Sequence, residues 1–252
     1  MRLVTLSPIG LISSCYREKF GIPRQPNLVT EATAEIVLNS EFDEESVRGL
    51  EGFSHIWVTF VFNETQNQGW KPLVRPPRLG GNTKVGIFAS RSTFRPNPVG
   101  LSVVRLLDIE VNNKGKVILH LGGCDLLDKT PVLDIKPYLP YVDSIPNAIG
   151  GYAKESPDVL YEVFFTEKAI NQCKGAQKRL EITQIKTQII EKEGGWSLEK
   201  LIKQILQLDP RPSYQKNKNN DRIYAMKLYD FDLKWQYCDN NKIKVTELVT
   251  GE

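Results

Sequence analysis

The sequence predicts a mainly β protein: a single-sheet, barrel-like unit over residues 1–165, then a small α+β unit over residues 166–252. Two observations carry that prediction. Up to Thr166 the chain is a series of short apolar runs separated by Gly and Pro turns, with no alternating helices, which favours a barrel over a doubly wound sheet. From Glu167 the composition shifts to Lys, Glu, Gln and Ile, as expected of exposed helices. At 252 residues there is room for one large unit and one small one.

In order, Leu3–Ile12 reads as a strand broken at Pro8. Tyr16–Pro26 is a loop pinned by Pro23 and Pro26, so that Arg24 and Gln25 are aimed rather than merely solvated. Ala34–Leu38 is a strand and Glu44–Leu50 a short helical patch. His55–Phe62 is apolar on both faces, as in a central strand, with His55 a hydrogen-bonded core residue and Trp57 and Phe60 packing. Lys84–Ala89 and Leu101–Leu107 are strands flanking a stiff loop, Arg91–Pro98, in which Pro96 and Pro98 fix φ and remove two donors. Asn112–Gly115 is a hairpin turn joining Asp108–Val111 to Lys116–Leu121. Val132–Ile135 and Tyr161–Phe165 complete the first unit. Glu167–Glu193 is one or two helices. Another starts at the N-cap Ser197 and runs to Leu208, where Asp209-Pro210-Arg211-Pro212 stops it. Gln215–Asp221 is a polar loop, and Ile223–Leu233 and Lys234–Val249, broken at Asp239-Asn240-Asn241, form a terminal β-ribbon.

Composition excludes several classes. Hydrophobic content of 40% and charged content of 25% are those of an ordinary globular protein. The net charge is only +3, so affinity for nucleic acid must come from local clustering. Cys15, Cys124, Cys173 and Cys238 are widely spaced, with no Cys-x-x-Cys and no paired His, so free thiols in a reducing compartment are expected, and no metal. No run reaches the length of a membrane span and the start lacks a signal peptide, so a cytoplasmic location is expected. The paired glycines, such as Gly80-Gly81 and Gly122-Gly123, lack the third glycine and the βαβ context of a dinucleotide-type loop.

The most informative stretch is basic. From Thr65 to Leu107 there are seven Lys or Arg and no Asp or Glu. This is either a solvated face or an anion-binding surface, most naturally for phosphates. On these residues alone, a non-catalytic RNA-binding module and a small-molecule enzyme with an arginine-lined anion site both stay open.

Six motifs resemble those of one family: Ile22–Pro26, Gly52–Trp57, Arg75–Gly81, Gly86–Ser102, Asp134–Pro140 and Asp209–Tyr214. They follow in family order over nearly the whole chain, and the family is the TsaA-like (YaeB/TrmO) tRNA methyltransferases. The resemblance implies a β-barrel binding S-adenosylmethionine at its mouth, a homodimer, and N6-methylation of threonylcarbamoyladenosine next to the anticodon of threonine-accepting tRNA. It implies cofactor contacts from Pro23, Arg24 and Gln25, from Asn63 and Glu64, from Arg91 and Leu101, and from Asp125, Leu126, Leu127 and Asp128. For tRNA it suggests Arg75, Arg78, Arg95 and Lys136, with Arg211 and Tyr214 holding the anticodon loop by phosphate contact and stacking. No general base is identified; Asp128, Asp134 and Tyr138 are the candidates. Asn63-Glu64 departs from the His-Gln type of pair in relatives, and Lys129 stands where relatives often have Gly.

Overall fold

The computed structural model describes residues 4–183, 195–211, 222–239 and 241–250. Three early strands are β1 (Gly10–Ser14), β2 (Thr33–Leu38) and β3 (His55–Val61). Leu73–Val74 (β4) and Val85–Gly86 (β5) make a two-stranded ribbon outside the main sheet. The strand expected over Lys84–Ala89 therefore shrinks to two residues and turns into a 3₁₀ turn at Ile87–Ala89. Then come β6 (Val99–Val111), β7 (Val117–Gly122) and β8 (Pro131–Pro137). Strands β1-β2-β7-β6-β3-β8 close into a barrel, every pair antiparallel.

Side chains alternate between the two faces along the barrel strands, most plainly in β2 and β3. Ile36 and Leu38 of β2, Ile56, Val58 and Phe60 of β3, and Leu119 and Leu121 of β7 are buried in one core. Their sequence neighbours face outward. His55 is one of these: it is half-buried on the outer wall, with its Nδ1 2.9 Å from the Ser54 hydroxyl, and is not a core residue. The apolar run of β3 misled because its outward positions carry Trp57 and Val61. The Trp57 indole donates to Asp143 Oδ2 at 3.0 Å and pins the short helix α1 (Pro140–Asp143) to the wall. Across from Phe60 stands Gly100, where a Cβ would lie 2.3 Å from the ring, so glycine is the residue that lets the aromatic fill the barrel end.

The second unit holds helices α2 (Glu167–Thr183) and α3 (Leu198–Gln207) against a four-stranded sheet. Its strands are β9 (Glu162–Phe165), β10 (Ile223–Leu228), β11 (Phe231–Cys238) and β12 (Lys242–Thr250), in the order β10-β11-β12-β9. Two expectations change. β9 pairs in parallel with β12, so the strand assigned to the first unit belongs to the second sheet. The terminal ribbon has three strands, because the chain also reverses at Tyr229-Asp230, with Tyr229 at φ +52° and no Gly or Asn to announce it. Ser197 caps α3 as expected, accepting from the Lys200 amide at 3.3 Å. The expected polar loop Gln215–Asp221 lies outside the described residues.

The two units share a core. After β1 the chain leaves the barrel, and Cys15, Tyr16, Val29 and Ala32 are buried among Leu201, Ile205, Leu228 and Trp235. The Tyr229 amide donates to the Cys15 carbonyl at 2.9 Å, and the Trp196 indole to the Glu31 carbonyl at 3.0 Å. Of the four free cysteines, Cys15, Cys124 and Cys173 are buried and Cys238 half-buried.

Gly100→Ala should lower unfolding free energy by about 1–3 kcal/mol, the usual cost of overpacking. Urea titration of both proteins checks this; an unchanged midpoint would mean that Phe60 has room to yield.

Candidate active site

The end of β1 is fastened to the turn that precedes β8. The Ser14 amide donates to Asp128 Oδ1 at 3.1 Å and the Ser14 hydroxyl to the Leu126 carbonyl at 2.8 Å. Arg17 pairs with Asp128 Oδ2, and the Asp128 amide returns a bond to the Tyr16 carbonyl at 2.9 Å. Lys129 follows at φ +63°, a conformation that glycine adopts without cost, and its amide reaches the Ile12 carbonyl at 2.7 Å.

The Pro23–Asn27 loop is seated on the same end of the barrel. The Asn27 amide donates to the Gly123 carbonyl at 2.8 Å and its side chain to the Val103 carbonyl at 3.1 Å. Gly123 has φ +70°, and a Cβ there would come within 2.2 Å of Asn27 Oδ1. From this loop the Gln25 carboxamide accepts from Arg91 of the proline-stiffened loop and donates to the Arg24 carbonyl. Asp125 Oδ1 accepts from the Ser102 hydroxyl on β6 at 2.8 Å. Lys19 reaches across to the Glu64 carbonyl at 3.1 Å and to its carboxylate at 3.6 Å. Five segments, around residues 24, 64, 91, 101 and 125, thus meet at one barrel end.

Burial pushes the Asp125 carboxyl up to about 6, against the Ser102 hydrogen bond and the charge of Arg91. Desolvation draws the Arg24 guanidinium below its ordinary value; Asp209 opposes this and Arg78 adds to it, so two arginines from different motifs share a neighbourhood. Leu101 keeps 55% of its surface exposed. Register sets Leu101, Thr59 and Asp134 in one row across β6, β3 and β8, which places Asp134 about 10 Å from Leu101, two strand spacings away.

The expected catalytic candidates are otherwise occupied. Both Asp128 oxygens are engaged in the clamp, so Asp128 holds the site together and is poorly suited to take a proton. Asp134 pairs with Lys136 at 3.2 Å on the outer wall. Tyr138 lies there too, its ring tilted against His55 and Trp57. Leu126 is buried, so only its backbone can meet a ligand.

Among the residues expected to meet tRNA, Arg75 and Lys136 are exposed, and Arg78 donates to the Glu155 carbonyl at 2.6 Å. Arg95 turns back into its own loop, donating to the Ser90 carbonyl at 2.9 Å. Arg211 departs from expectation. It is 3% exposed, its Nε lies 2.9 Å from Asp209 Oδ1, its Nη2 donates to the Tyr161 hydroxyl at 2.7 Å, and it stacks on the Tyr237 ring at 3.4 Å. A guanidinium so enclosed staples the end of α3 to β11 and does not reach a phosphate. Tyr214 lies outside the described residues. Sequence reading missed Ser102, Asn27, Arg17 and Lys19; only Asn27, next to the proline-pinned turn, carried a local signal.

Comparison with known proteins identifies the family. Residues 11–144 match the model of the tRNA-methyltransferase O N-terminal domain, and residues 158–251 that of the TrmO C-terminal domain. The chain belongs to the tRNA-methyltransferase O family. It is 45% identical over 232 residues to the tRNA (adenine(37)-N6)-methyltransferase of Escherichia coli (strain K12), covering 92% of each chain. An enzyme of the same name from Eikenella corrodens is 45% identical over 184 residues, 73% of this chain and 90% of that one. The crystal structure of TrmO from Pseudomonas aeruginosa superposes with a TM-score of 0.78 at 36% identity, covering 98% of this chain and 99% of that chain. The family's C-terminal model begins at residue 158, ahead of β9, in keeping with the pairing of that strand.

Arg211→Ala would remove a buried guanidinium that joins Asp209, Tyr161 and Tyr237, and breaking a buried pair typically costs about 3–5 kcal/mol. Chemical denaturation should show a loss of that order, whereas a phosphate-binding arginine on the surface would leave stability unchanged.

Proposed function

We propose that this chain is an S-adenosylmethionine-dependent tRNA methyltransferase that methylates N6 of the adenine at position 37, next to the anticodon, and that its target base carries a threonylcarbamoyl group. The observation that carries this reading is the meeting of the Arg91–Gln25 pair, the Ser102–Asp125 pair and the exposed Leu101 at the barrel end, beside an acid-free arginine surface. These residues fit the cofactor. Arg91 and Gln25 suit a carboxylate, Leu101 suits one face of a purine, and the carbonyls of the 125–128 turn suit a cation. Pro23 and Arg24 would line the same site, with Asn63 and Glu64 at its edge, where the Glu64 carbonyl accepts from Lys19. When bound, S-adenosylmethionine supplies an activated methyl group. The protein aligns the nitrogen with it, excludes water and removes a proton.

Arg75, Arg78 and Lys136 would meet tRNA phosphates, while Arg95 shapes the loop beneath. The second copy of a homodimer would cover exposed apolar side chains such as Phe88, Tyr141, Ile145, Ile149 and Val159; the Tyr152 hydroxyl donates to the Ala89 carbonyl at 3.0 Å and so ties the segment around it to the one that carries Phe88. A tRNA substrate places the work in the cytoplasm. No helix among the described residues is long and apolar enough to cross a membrane, and no group of three or more His, Cys, Asp or Glu among them could hold a metal ion.

Mass spectrometry of nucleosides from tRNA incubated with protein and S-adenosylmethionine should show one added methyl group on the threonylcarbamoyl adenosine; its absence would overturn the reading. Arg91→Ala should weaken cofactor binding in calorimetry by about tenfold or more, the worth of one charge-assisted hydrogen bond. Three phosphate contacts should give a log–log salt slope for tRNA binding of about −2. Light scattering should find a dimer that Ile149→Asp separates; a wild-type monomer would remove the dimer.

A further inference from the structure

Replacing N–H by N–CH₃ requires one proton to leave the nitrogen. On a carbamoylated adenine the nitrogen lone pair is shared with the ring and the carbonyl, so the atom is a poor nucleophile until that proton is drawn off. The carboxylates of the candidate set are not equivalent acceptors. Asp128 is held by Arg17 and the Ser14 amide. Glu64 lies 3.6 Å from Lys19, and Asp134 lies 3.2 Å from Lys136.

Asp125 differs from all three. One oxygen is fixed by the Ser102 hydroxyl at 2.8 Å, and among the described residues the carboxylate forms no salt bridge. It lies on the turn after β7 at the barrel end, half-buried and in the field of Arg91. On the methyltransferase reading above, we infer that Asp125 takes the proton from the substrate nitrogen, and that Ser102 is the positioning residue that holds it for this task.

The step balances. The N–H bond breaks as its proton passes to the Asp125 carboxylate, and the nitrogen electron pair forms the new N–C bond. The C–S bond breaks with its pair left on sulfur, and the protonated Asp125 then releases its proton to solvent. The groups facing this carboxylate are Arg91 from the loop before β6, Ser102 from β6, Tyr16 from the segment after β1, and the adjoining Cys124. Burial keeps Tyr16 and Cys124 neutral, so Arg91 is the charge that counts. With its carboxyl at about 6, Asp125 is protonated and idle in acid and ionised at neutral pH.

The test joins kinetics to a measurement on the protein alone. Carbon-13 NMR of Asp125 without ligand should give a titration near 6, and Ser102→Ala should move it upward by removing a bond that favours the anion. In wild type, kcat/KM should rise about tenfold per pH unit below that value and then level. Asp125→Asn, which keeps the shape and the Ser102 contact, should lose about 10²-fold or more in kcat and the acid limb with it, while calorimetric affinity for S-adenosylmethionine changes only a few-fold. An Asp125→Asn protein that binds the cofactor weakly yet turns over normally at saturation would make Asp125 a cofactor contact and overturn the inference. So would a carboxyl titrating in the ordinary range near 4. Wild type that adds no methyl group at all would instead overturn the methyltransferase reading on which the inference rests.

Discussion

The carboxylate of Asp128 joins two parts of the chain that would otherwise diverge. At Ser14 the first barrel strand ends and the chain leaves for the second unit; Asp128 takes the Ser14 amide with one oxygen and Arg17 with the other. Hydrogen bonds to a charged partner of this kind contribute about 1.5–3 kcal/mol each. The clamp does more than add stability. It lays the 125–129 turn along the exit of β1, and so fixes Asp125 relative to the loop that carries Arg24 and Gln25. Because Cys15, Tyr16, Val29 and Ala32 are buried in the second core, that loop is supported at both ends.

From this constraint the division of labour among charges follows. Asp128, Glu64 and Asp134 each have a cation beside them. Asp125 has a hydroxyl partner instead. The arginines divide similarly: Arg95 and Arg211 are consumed by structure, while Arg75 and Arg91 face outward. Positive charge is thus gathered locally in a chain of nearly balanced charge, because residues 65–107 hold no acid.

Much of this was legible in the residues. The barrel strands announced themselves by Val and Leu runs between Gly and Pro turns, and the Asn112–Gly115 hairpin and the Ser197 cap stand where local chemistry puts them. What failed depended on partners far away in the chain. Arg91 and Arg211 sit in similar proline-stiffened settings, yet one reaches Gln25 on the surface and the other is sealed between Tyr161 and Tyr237. Nothing local distinguishes them, since Tyr161 lies 50 residues before Arg211. β9 was misassigned for the same reason: its partner β12 comes some 80 residues later, and an apolar strand does not reveal which sheet it joins. The Tyr229 turn escaped because a left-handed tyrosine held by burial has no signature in sequence.

The proposed cofactor site lies at the barrel end, between the Pro23–Gln25 turn, Arg91, Leu101 and the Asp125–Asp128 turn. A crystal structure of the protein with S-adenosylmethionine tests it most directly. The cofactor should lie in that crevice, with its carboxylate group within hydrogen-bond distance of Arg91 or Gln25 and its purine against Leu101. A cofactor bound elsewhere, for instance between the β4–β5 ribbon and the outer wall around Trp57, would contradict it.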